Sequence, residues 1–332
     1  MDGHKVPCKK HVTNLKYLYM KRITDVCKLI RLPYLLTAGF IMFATREMII
    51  RPILAINNHS LQVSLFNFSI IVLATLLLIA AGYIINDYFD TKDDRISRPD
   101  GNIVGRKMER RSAIKLHTTL NIIAIVLAGY VSYKVGYNKL TILFILASGL
   151  LWFYSTSYKR YSLLGKTVIS IMIAAMPMIV ILYEIPLLSI KYATFMQETG
   201  VSFLYLLDWT GGFAILLFLS SLIMNLTKDS IKRELIEEKR MQLSVKIVIV
   251  LAYVLLITSI NFLVIEIFEL AYLAKYFLIA AVGLPALFSL IKLLTSNKLT
   301  TLKTNYTLSK IITVGIIVFS LFIPYIFKNN LL

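Results

Sequence analysis

The chain contains 332 residues, of which 58% are hydrophobic and 16% charged, and its mean hydropathy is +0.73. Soluble domains are about 45–50% apolar and roughly 25% charged, so this composition excludes a soluble globular protein. The two cysteines, Cys8 and Cys27, are too few and too badly placed for a disulfide framework. The formal net charge of +18 is compatible with nucleic-acid binding until the positions of the charges are considered.

The apolar residues form runs of around 20, the length at which a helix crosses about 30 Å of hydrocarbon. These runs predict an all-α fold, a polytopic membrane bundle of about nine transmembrane helices. In chain order they cover residues 33–50, 62–86, 117–134, 140–157, 167–187, 202–225, 243–262, 270–291 and 310–327. We expect a basic N-terminal tail over residues 1–30 and a single transmembrane domain over residues 31–330.

Most of the lysines and arginines lie in this tail and in the loops after the second, fourth, sixth and eighth runs. All of these segments lie on one side of the membrane, and the positive-inside rule makes that side the cytoplasmic one. The charge therefore predicts orientation and not a nucleic-acid partner. We expect an integral protein of the inner or plasma membrane with a cytoplasmic N-terminus.

Acidic residues cluster where the second run ends. Asn86, Asp90 and Asp94 are spaced by four residues and share one helical face, which Asp87 borders. Carboxylates held this close repel one another, and a bound cation relieves the repulsion. Oxygen ligands without histidine or cysteine favour Mg²⁺. The alternative is a solvated polar collar at the membrane surface.

Basic residues follow these acids within the same loop, at Arg95, Arg98, Arg106, Lys107, Arg110 and Arg111. A metal ion beside guanidinium groups suits a diphosphate, because the cation bridges oxygens while arginine makes bidentate contacts. For most of these arginines the alternative is a role in membrane topology alone.

The sixth run ends in a similar pattern, with Asn225 and Asp229 repeating the spacing of Asn86 and Asp90. One turn further, Arg233 takes the place that Asp94 has in the first pattern. Two similar helix ends suggest an internal duplication. We expect them to face each other across a central cavity that opens to the cytoplasmic side.

The first pattern, Asn86-Asp87-Tyr88-Phe89-Asp90-x-x-x-Asp94 followed by Ser97-Arg98-Pro99-Asp100, resembles the first Asp-rich motif of the UbiA superfamily of intramembrane prenyltransferases. A second stretch, Tyr154-Ser155-Thr156-Ser157-Tyr158-Lys159-Arg160 with Leu163-Leu164-Gly165, resembles that family's segment after its fourth helix. The resemblance implies transfer of a polyprenyl group from polyprenyl diphosphate to a lipid or aromatic acceptor, with Mg²⁺ bound by two Asp-rich motifs.

The resemblance also implies roles for individual residues. The implied catalytic residues are Asp90, Asp94 and Asp229, and the implied metal ligands are Asp87, Asp90, Asp94 and Asp229. The implied substrate-binding residues are Asn86, Arg98, Tyr154, Lys159, Arg160, Asn225, Lys228 and Lys232. The expected partners are polyprenyl diphosphate, the acceptor and membrane lipids.

The second motif departs from the family pattern. Lys228-Asp229 is kept, but the next two carboxylate positions hold Lys232 and Ile236. An acidic pair, Glu234 and Glu238, is displaced by two residues, about 200° around a helix. Either Lys232 and Arg233 bind diphosphate directly, or catalysis is weakened or lost.

Three functions remain open on the sequence alone. Tyr88-Phe89 and Arg98-Pro99-Asp100 resemble the branch of the family that acts on glycerol-phosphate ether lipids more than the one that farnesylates haem, which implies an acceptor of the geranylgeranylglycerol-phosphate type. A quinone precursor, hydroxybenzoate or dihydroxynaphthoate, is the alternative acceptor. A non-catalytic lipid-binding descendant is the alternative to an enzyme, and it is favoured only by the altered second motif.

Overall fold

The computed structural model describes residues 24–97, 103–237, 240–266, 272–296 and 298–328, and every long element within them is helical. Helix α1 covers residues 32–56 and contains a π-helical turn at Thr45–Ile50. The other long helices are α2 (Leu65–Ser97), α3 (Arg110–Val135), α4 (Thr141–Thr156), α5 (Ser162–Lys191), α6 (Leu206–Glu237), α7 (Leu243–Glu266), α8 (Tyr272–Thr295) and α9 (Leu299–Phe319).

Eight of the described helices, α2 to α9, are long and apolar enough to cross a membrane. Between them they leave many large apolar side chains exposed, including Phe66, Val126, Leu146 and Leu251. Such a surface is costly in water and favourable against lipid chains. The chain is therefore an integral membrane protein. The first predicted run falls on the interrupted helix α1, and a total of nine crossings stays a prediction.

The two helices that carry the acidic motifs extend beyond the predicted runs. Helix α2 continues to Ser97 and α6 to Glu237, where the apolar runs end at residues 86 and 225. Hydropathy marks only the length buried in the membrane, whereas backbone hydrogen bonds continue through polar residues. Both motifs therefore lie on helix. We call the end of the bundle that contains Asp90 and Asp229 the motif end.

Packing brings the helices together in neighbouring pairs. Helix α2 packs most extensively on α3, and α5 on α6, which also contacts α7 and α9. One large core of buried apolar residues runs through these contacts. A smaller core at the motif end joins Leu29, Ile84, Ile103, Val104 and Ala113. This small core holds the segment before α1 and the loop before α3 against the end of α2.

The opposite end of the bundle is fixed by a buried carboxylate. Glu184 on α5 is 2% exposed and accepts hydrogen bonds from the backbone N–H groups of Gln62 and Val63. The Val63 carbonyl accepts a hydrogen bond of 2.8 Å from Arg46 on the π-helical turn. Because buried polar groups need partners, this network ties α1, the following loop and α5 into one arrangement.

Candidate active site

The first acidic motif forms a compact polar cluster at the end of α2. Asn86 Nδ2 donates a hydrogen bond of 3.0 Å to Asp90 Oδ2, since the two residues are one helical turn apart. The same carboxylate forms an ion pair with Lys159. Asn86 Oδ1 is buried and has no hydrogen-bond partner among the described residues. A buried oxygen in that position is available to a ligand.

Asp87 forms an ion pair with Arg31, a residue that in the sequence is only one of several basic residues in the N-terminal segment. Arg31 Nη2 lies 3.1 Å from Asp87 Oδ1, and the guanidinium carbon lies 4.7 Å from the centre of the Tyr83 ring. Arg31 adopts the left-handed conformation, with φ of 53°. Arg31 follows a short helix over residues 24–29, and helices commonly end with a residue in this conformation. We add Arg31 to the candidate site.

The second motif is bound by three side chains. Asp229 Oδ2 accepts hydrogen bonds from Ser162 Oγ at 2.6 Å and from Arg233 Nε at 2.9 Å. Asp229 Oδ1 lies 3.3 Å from Lys166 Nζ. Ser162 and Lys166 are one turn apart on α5, and Arg233 is one turn beyond Asp229 on α6. Neither Ser162 nor Lys166 was expected at the site from the sequence.

One short segment contacts both motifs. It consists of residues 158–166, which comprise the 3₁₀ turn Tyr158–Arg160 and the start of α5. Lys159 in this segment binds Asp90, whereas Ser162 and Lys166 bind Asp229. The structure therefore brings the two helix ends together through a common intermediary.

A glycine allows this segment to fold so tightly. A Cβ atom at Gly165 would lie 2.8 Å from the carbonyl oxygen of Tyr158, closer than Cβ atoms normally approach an oxygen. The resemblance to the family includes this Leu-Gly pair, and the structure gives the glycine a physical reason.

Tyr154 lies near residues of both motifs. Its side chain is half-buried and within electrostatic range of Asp90, Asp229 and Arg31. By contrast, the neighbouring aromatic residue Trp152 is 36% exposed. The Trp152 ring lies edge-on to Phe89 of the first motif, with ring centres 5.8 Å apart, so both aromatic residues lie near the candidate site.

The remaining residues expected at the site make fewer contacts with the two motifs among the described residues. Asn225 Nδ2 donates a hydrogen bond of 3.1 Å to Ser221 Oγ on its own helix. Arg160, Lys228 and Lys232 lie at the same end of the bundle, and Lys232 is within electrostatic range of Lys166. The side chains of Asp94 and Arg98 lie outside the described residues.

A cavity of about 300 Å³ adjoins the second motif at the motif end of the bundle. Arg233 and Ser162 line it, together with Ser230, Arg240, Met241, Gln242 and Val245. Its polar lining includes two guanidinium groups, so it suits an anion better than a cation.

The two motifs differ in how well they fit a magnesium ion. The first offers the carboxylates of Asp87 and Asp90 and the unpartnered Asn86 Oδ1, a set of oxygen ligands that fits Mg²⁺. At the second, two cations and a hydroxyl already engage Asp229. Helix α6 is continuous to Glu237, so Glu234 lies about 140° around it from Asp229. Among the described residues no group of three histidine, cysteine or acidic side chains is placed to hold a metal.

Comparison with known proteins decides the family. The model of the UbiA prenyltransferase family matches residues 54–311, which is most of the chain and includes both motifs. The chain belongs to the UbiA prenyltransferase family. The resemblance seen in the first motif is thereby confirmed.

A curated relative and a solved structure are similar to this UbiA family member. A digeranylgeranylglyceryl phosphate synthase of Methanosarcina barkeri (strain Fusaro / DSM 804) is 34% identical over 102 residues. That match covers 31% of this chain and 34% of the relative, so the chain spans about a third of the relative's length. A solved structure described as that of a digeranylgeranylglyceryl phosphate synthase in membranes superimposes with a TM-score of 0.64. It covers 91% of this chain and 99% of its own at 16% identity, which shows a shared fold.

Proposed function

We propose that this UbiA family member transfers a polyprenyl group from polyprenyl diphosphate to an acceptor within the membrane, with Mg²⁺ as cofactor. The single observation that carries the proposal is the arrangement in which residues 158–166 contact both Asp90 and Asp229. It gathers acidic and basic groups at one end of a bundle whose helices are otherwise apolar. A diphosphate attached to a long hydrocarbon chain needs both environments.

The first motif is the proposed metal site. Asp87 and Asp90, with Asn86 Oδ1, would hold Mg²⁺, and the family pattern adds Asp94. Bound there, Mg²⁺ supplies Lewis-acid stabilisation of the charge that develops on the departing diphosphate. Arg98, which follows the motif in sequence, is a proposed diphosphate ligand from the family pattern.

Basic side chains of the chain itself bind and orient the diphosphate. Lys159 and Arg31 already lie against the two carboxylates of the first motif, so they are placed to contact phosphate oxygens beside them. Such charge-assisted contacts contribute about 1.5–3 kcal/mol each. Arg160, Lys228 and Lys232 are further cations at the same end and are proposed as weaker contacts. Together these groups favour departure of the diphosphate from the allylic carbon.

The helices exclude water and the aromatic residues line the reacting region. Departure of the diphosphate leaves an allylic carbon with cation character, which water would quench. Tyr154, within electrostatic range of Asp90 and Asp229, is proposed to offer an aromatic face that stabilises positive charge. Asn225 sits one turn before Asp229 and is proposed to orient substrate rather than to transfer protons.

For the acceptor we propose a geranylgeranylglyceryl-phosphate-type lipid. The Methanosarcina barkeri relative and the similar solved structure are both named as digeranylgeranylglyceryl phosphate synthases, and both names support this acceptor. The basic residues at the motif end also suit an anionic phosphate acceptor. We place this end, and the N-terminus, on the cytoplasmic side of the plasma membrane, since the loops there are rich in lysine and arginine.

The test is an assay of the purified full chain in lipid nanodiscs with geranylgeranyl diphosphate and Mg²⁺. Geranylgeranylglyceryl phosphate is supplied in one arm and 4-hydroxybenzoate in the other, and products are identified by mass spectrometry. The proposal expects a prenylated ether lipid in the first arm. Product in the second arm alone would support a quinone-precursor prenyltransferase.

The absence of product in both arms would favour a non-catalytic lipid-binding protein. One observation supports that second candidate, because two cations engage Asp229 where the family pattern has a metal ligand.

A further inference from the structure

The Asp229 carboxylate has both of its oxygens engaged by donors from the chain. Lys166 lies 3.3 Å from Oδ1, while Ser162 and Arg233 donate to Oδ2 at 2.6 and 2.9 Å. Asp90 has donors on Oδ2 alone, whereas Asp229 has a donor on each oxygen and two on Oδ2, so Asp229 has little capacity left for a metal ion. Two cations against one carboxylate also give the cluster a net positive charge, which repels a divalent cation.

At the first motif the numbers of acidic and basic side chains are equal among the described residues, and one oxygen there has no hydrogen-bond partner. There Asp87 and Asp90 are paired with Arg31 and Lys159, and Asn86 Oδ1 is a buried oxygen without a described partner. Oxygen ligands are therefore available at the end of α2, whereas cations are in excess at the end of α6. The two motif ends are similar in sequence but not equivalent in chemistry.

The cations of the second motif are held in place by Asp229. Lys166 has a side chain only 18% exposed, and a lysine so poorly solvated needs a charged partner. Arg233 uses its Nε for Asp229, which leaves the Nη groups of the guanidinium for a further anion. Arg233 also lines the cavity of about 300 Å³, so open space lies beside it.

We propose that Lys166 and Arg233 bind the diphosphate directly, that Asp229 is the residue that positions both, and that this end of the site takes no metal ion. The inference rests on the proposed function, since it gives the second motif a part in binding the same diphosphate that the first motif contacts through the metal. It makes the protein a one-metal enzyme with a cationic clamp opposite the metal. Lys232 is next to Arg233 on α6 and within electrostatic range of Lys166, so it adds to the positive potential of this cluster.

Metal binding tests the first half of the inference. The full chain in nanodiscs is titrated with Mn²⁺, a paramagnetic substitute for Mg²⁺, and free Mn²⁺ is measured by electron paramagnetic resonance. We expect a single bound Mn²⁺, lost in Asp90→Asn and retained with unchanged affinity in Asp229→Asn. Two bound ions in the wild type, one of them lost in Asp229→Asn, would overturn the proposal.

Anion binding tests the second half. Inorganic diphosphate is titrated calorimetrically in the presence of EDTA, so that only the cations of the chain contribute. Lys166→Gln and Arg233→Gln should each weaken binding by about tenfold or more. Asp229→Asn should weaken it similarly through lost positioning, with partial rescue in Asp229→Glu. Asp208→Asn, at the other end of α6, is the matched control and should have no effect.

Lys166→Arg keeps the charge and separates a folding defect from a loss of binding. It should retain diphosphate binding within a few-fold of wild type, and unchanged binding in Lys166→Gln would contradict the clamp. Neither titration requires turnover. A protein that shows these binding properties but makes no product would refute the proposed function and leave the clamp intact.

Discussion

Arg31 and Asp87 are joined by an ion pair of 3.1 Å across 56 positions of sequence. The pair attaches the segment that precedes the first helix to the first acidic motif. Tyr83, one turn before Asp87, lies under the same guanidinium group. The Arg31 side chain is therefore held by two contacts, one with a carboxylate and one with an aromatic ring. An arginine held against a carboxylate of the first motif and an adjacent tyrosine ring is expected to act on substrate.

The Arg31→Gln variant tests this expectation. We expect kcat/KM for prenyl diphosphate to fall roughly tenfold, the loss of one charge-assisted contact. The apparent melting temperature in detergent should change by no more than about 3 °C, because a half-exposed ion pair contributes little stability. Lys28→Gln removes the same charge from an exposed position in the same segment and should leave both quantities unchanged. Equal effects of the two variants would show that Arg31 contributes only its positive charge and not a specific contact with the substrate.

Asp90 is the described carboxylate with the most direct place in the proposed metal site. Asp90→Ala should abolish Mg²⁺-dependent prenyl transfer by the purified protein, measured as product formed per hour. Asp208→Ala removes a carboxylate from the opposite end of the bundle and serves as the control. Residual activity above about 10% in Asp90→Ala would place the metal elsewhere.

Lys159 and Arg160 are adjacent in sequence but differ in environment. Lys159 is paired with Asp90, whereas Arg160 is exposed and makes no ion pair among the described residues. Lys159→Gln should therefore raise KM for prenyl diphosphate about tenfold, and Arg160→Gln should raise it by less than threefold. Steady-state kinetics on both variants shows which substitution raises KM more. A larger effect of Arg160→Gln would contradict the structure.

The prediction for Gly165 concerns folding of the segment that contacts both motifs. Gly165→Ala places a methyl group 2.8 Å from a backbone oxygen, which costs about 1–3 kcal/mol if the turn shifts to relieve it. Both melting temperature and activity should fall. Gly211→Ala, with no neighbouring atom within 4 Å of the new Cβ, should be neutral or slightly stabilising. A tolerated Gly165→Ala would show that the segment has more freedom than the structure indicates.

At the opposite end, Glu184→Ala should lower stability without affecting chemistry. The substitution leaves the N–H groups of Gln62 and Val63 without their acceptor, a cost of about 1–3 kcal/mol. Thermal unfolding in detergent measures the loss, with the exposed Glu198→Ala as control. Activity per folded molecule should match wild type, and a selective loss of kcat would give Glu184 a role that we do not assign.

Much of the fold can be predicted from the sequence because apolar length is a local property. Each predicted run from residue 62 onward overlaps one of α2 to α9. The helix ends are less predictable: α2 and α6 continue through polar residues that hydropathy cannot distinguish from loop. The shared face of Asn86 and Asp90 also follows from spacing alone, and the structure adds the hydrogen bond between them.

The partners of the carboxylates are harder to predict because they come from other helices. Arg31 and Lys166 are two basic residues among many, and the positive-inside rule accounts for all of them equally well. A usable signal does exist for Lys166: Ser162 and Lys166 form a polar pair at one-turn spacing at the start of an apolar helix. Arg31 has no comparable sequence signal. Its place beside Asp87 goes with tertiary packing, in which the nearby Leu29 is buried against Ile84 of α2 in the small core.

The tight packing of Tyr158 against Gly165 has a further consequence for how this site can change over time. Residues 159 and 162 contact different motifs with only two residues between them. An insertion or deletion within that interval would misplace the partner of Asp90 relative to the partner of Asp229. We therefore expect this interval to tolerate substitutions better than insertions or deletions. The fixed length of this segment sets how far apart the partner of Asp90 and the partner of Asp229 can lie.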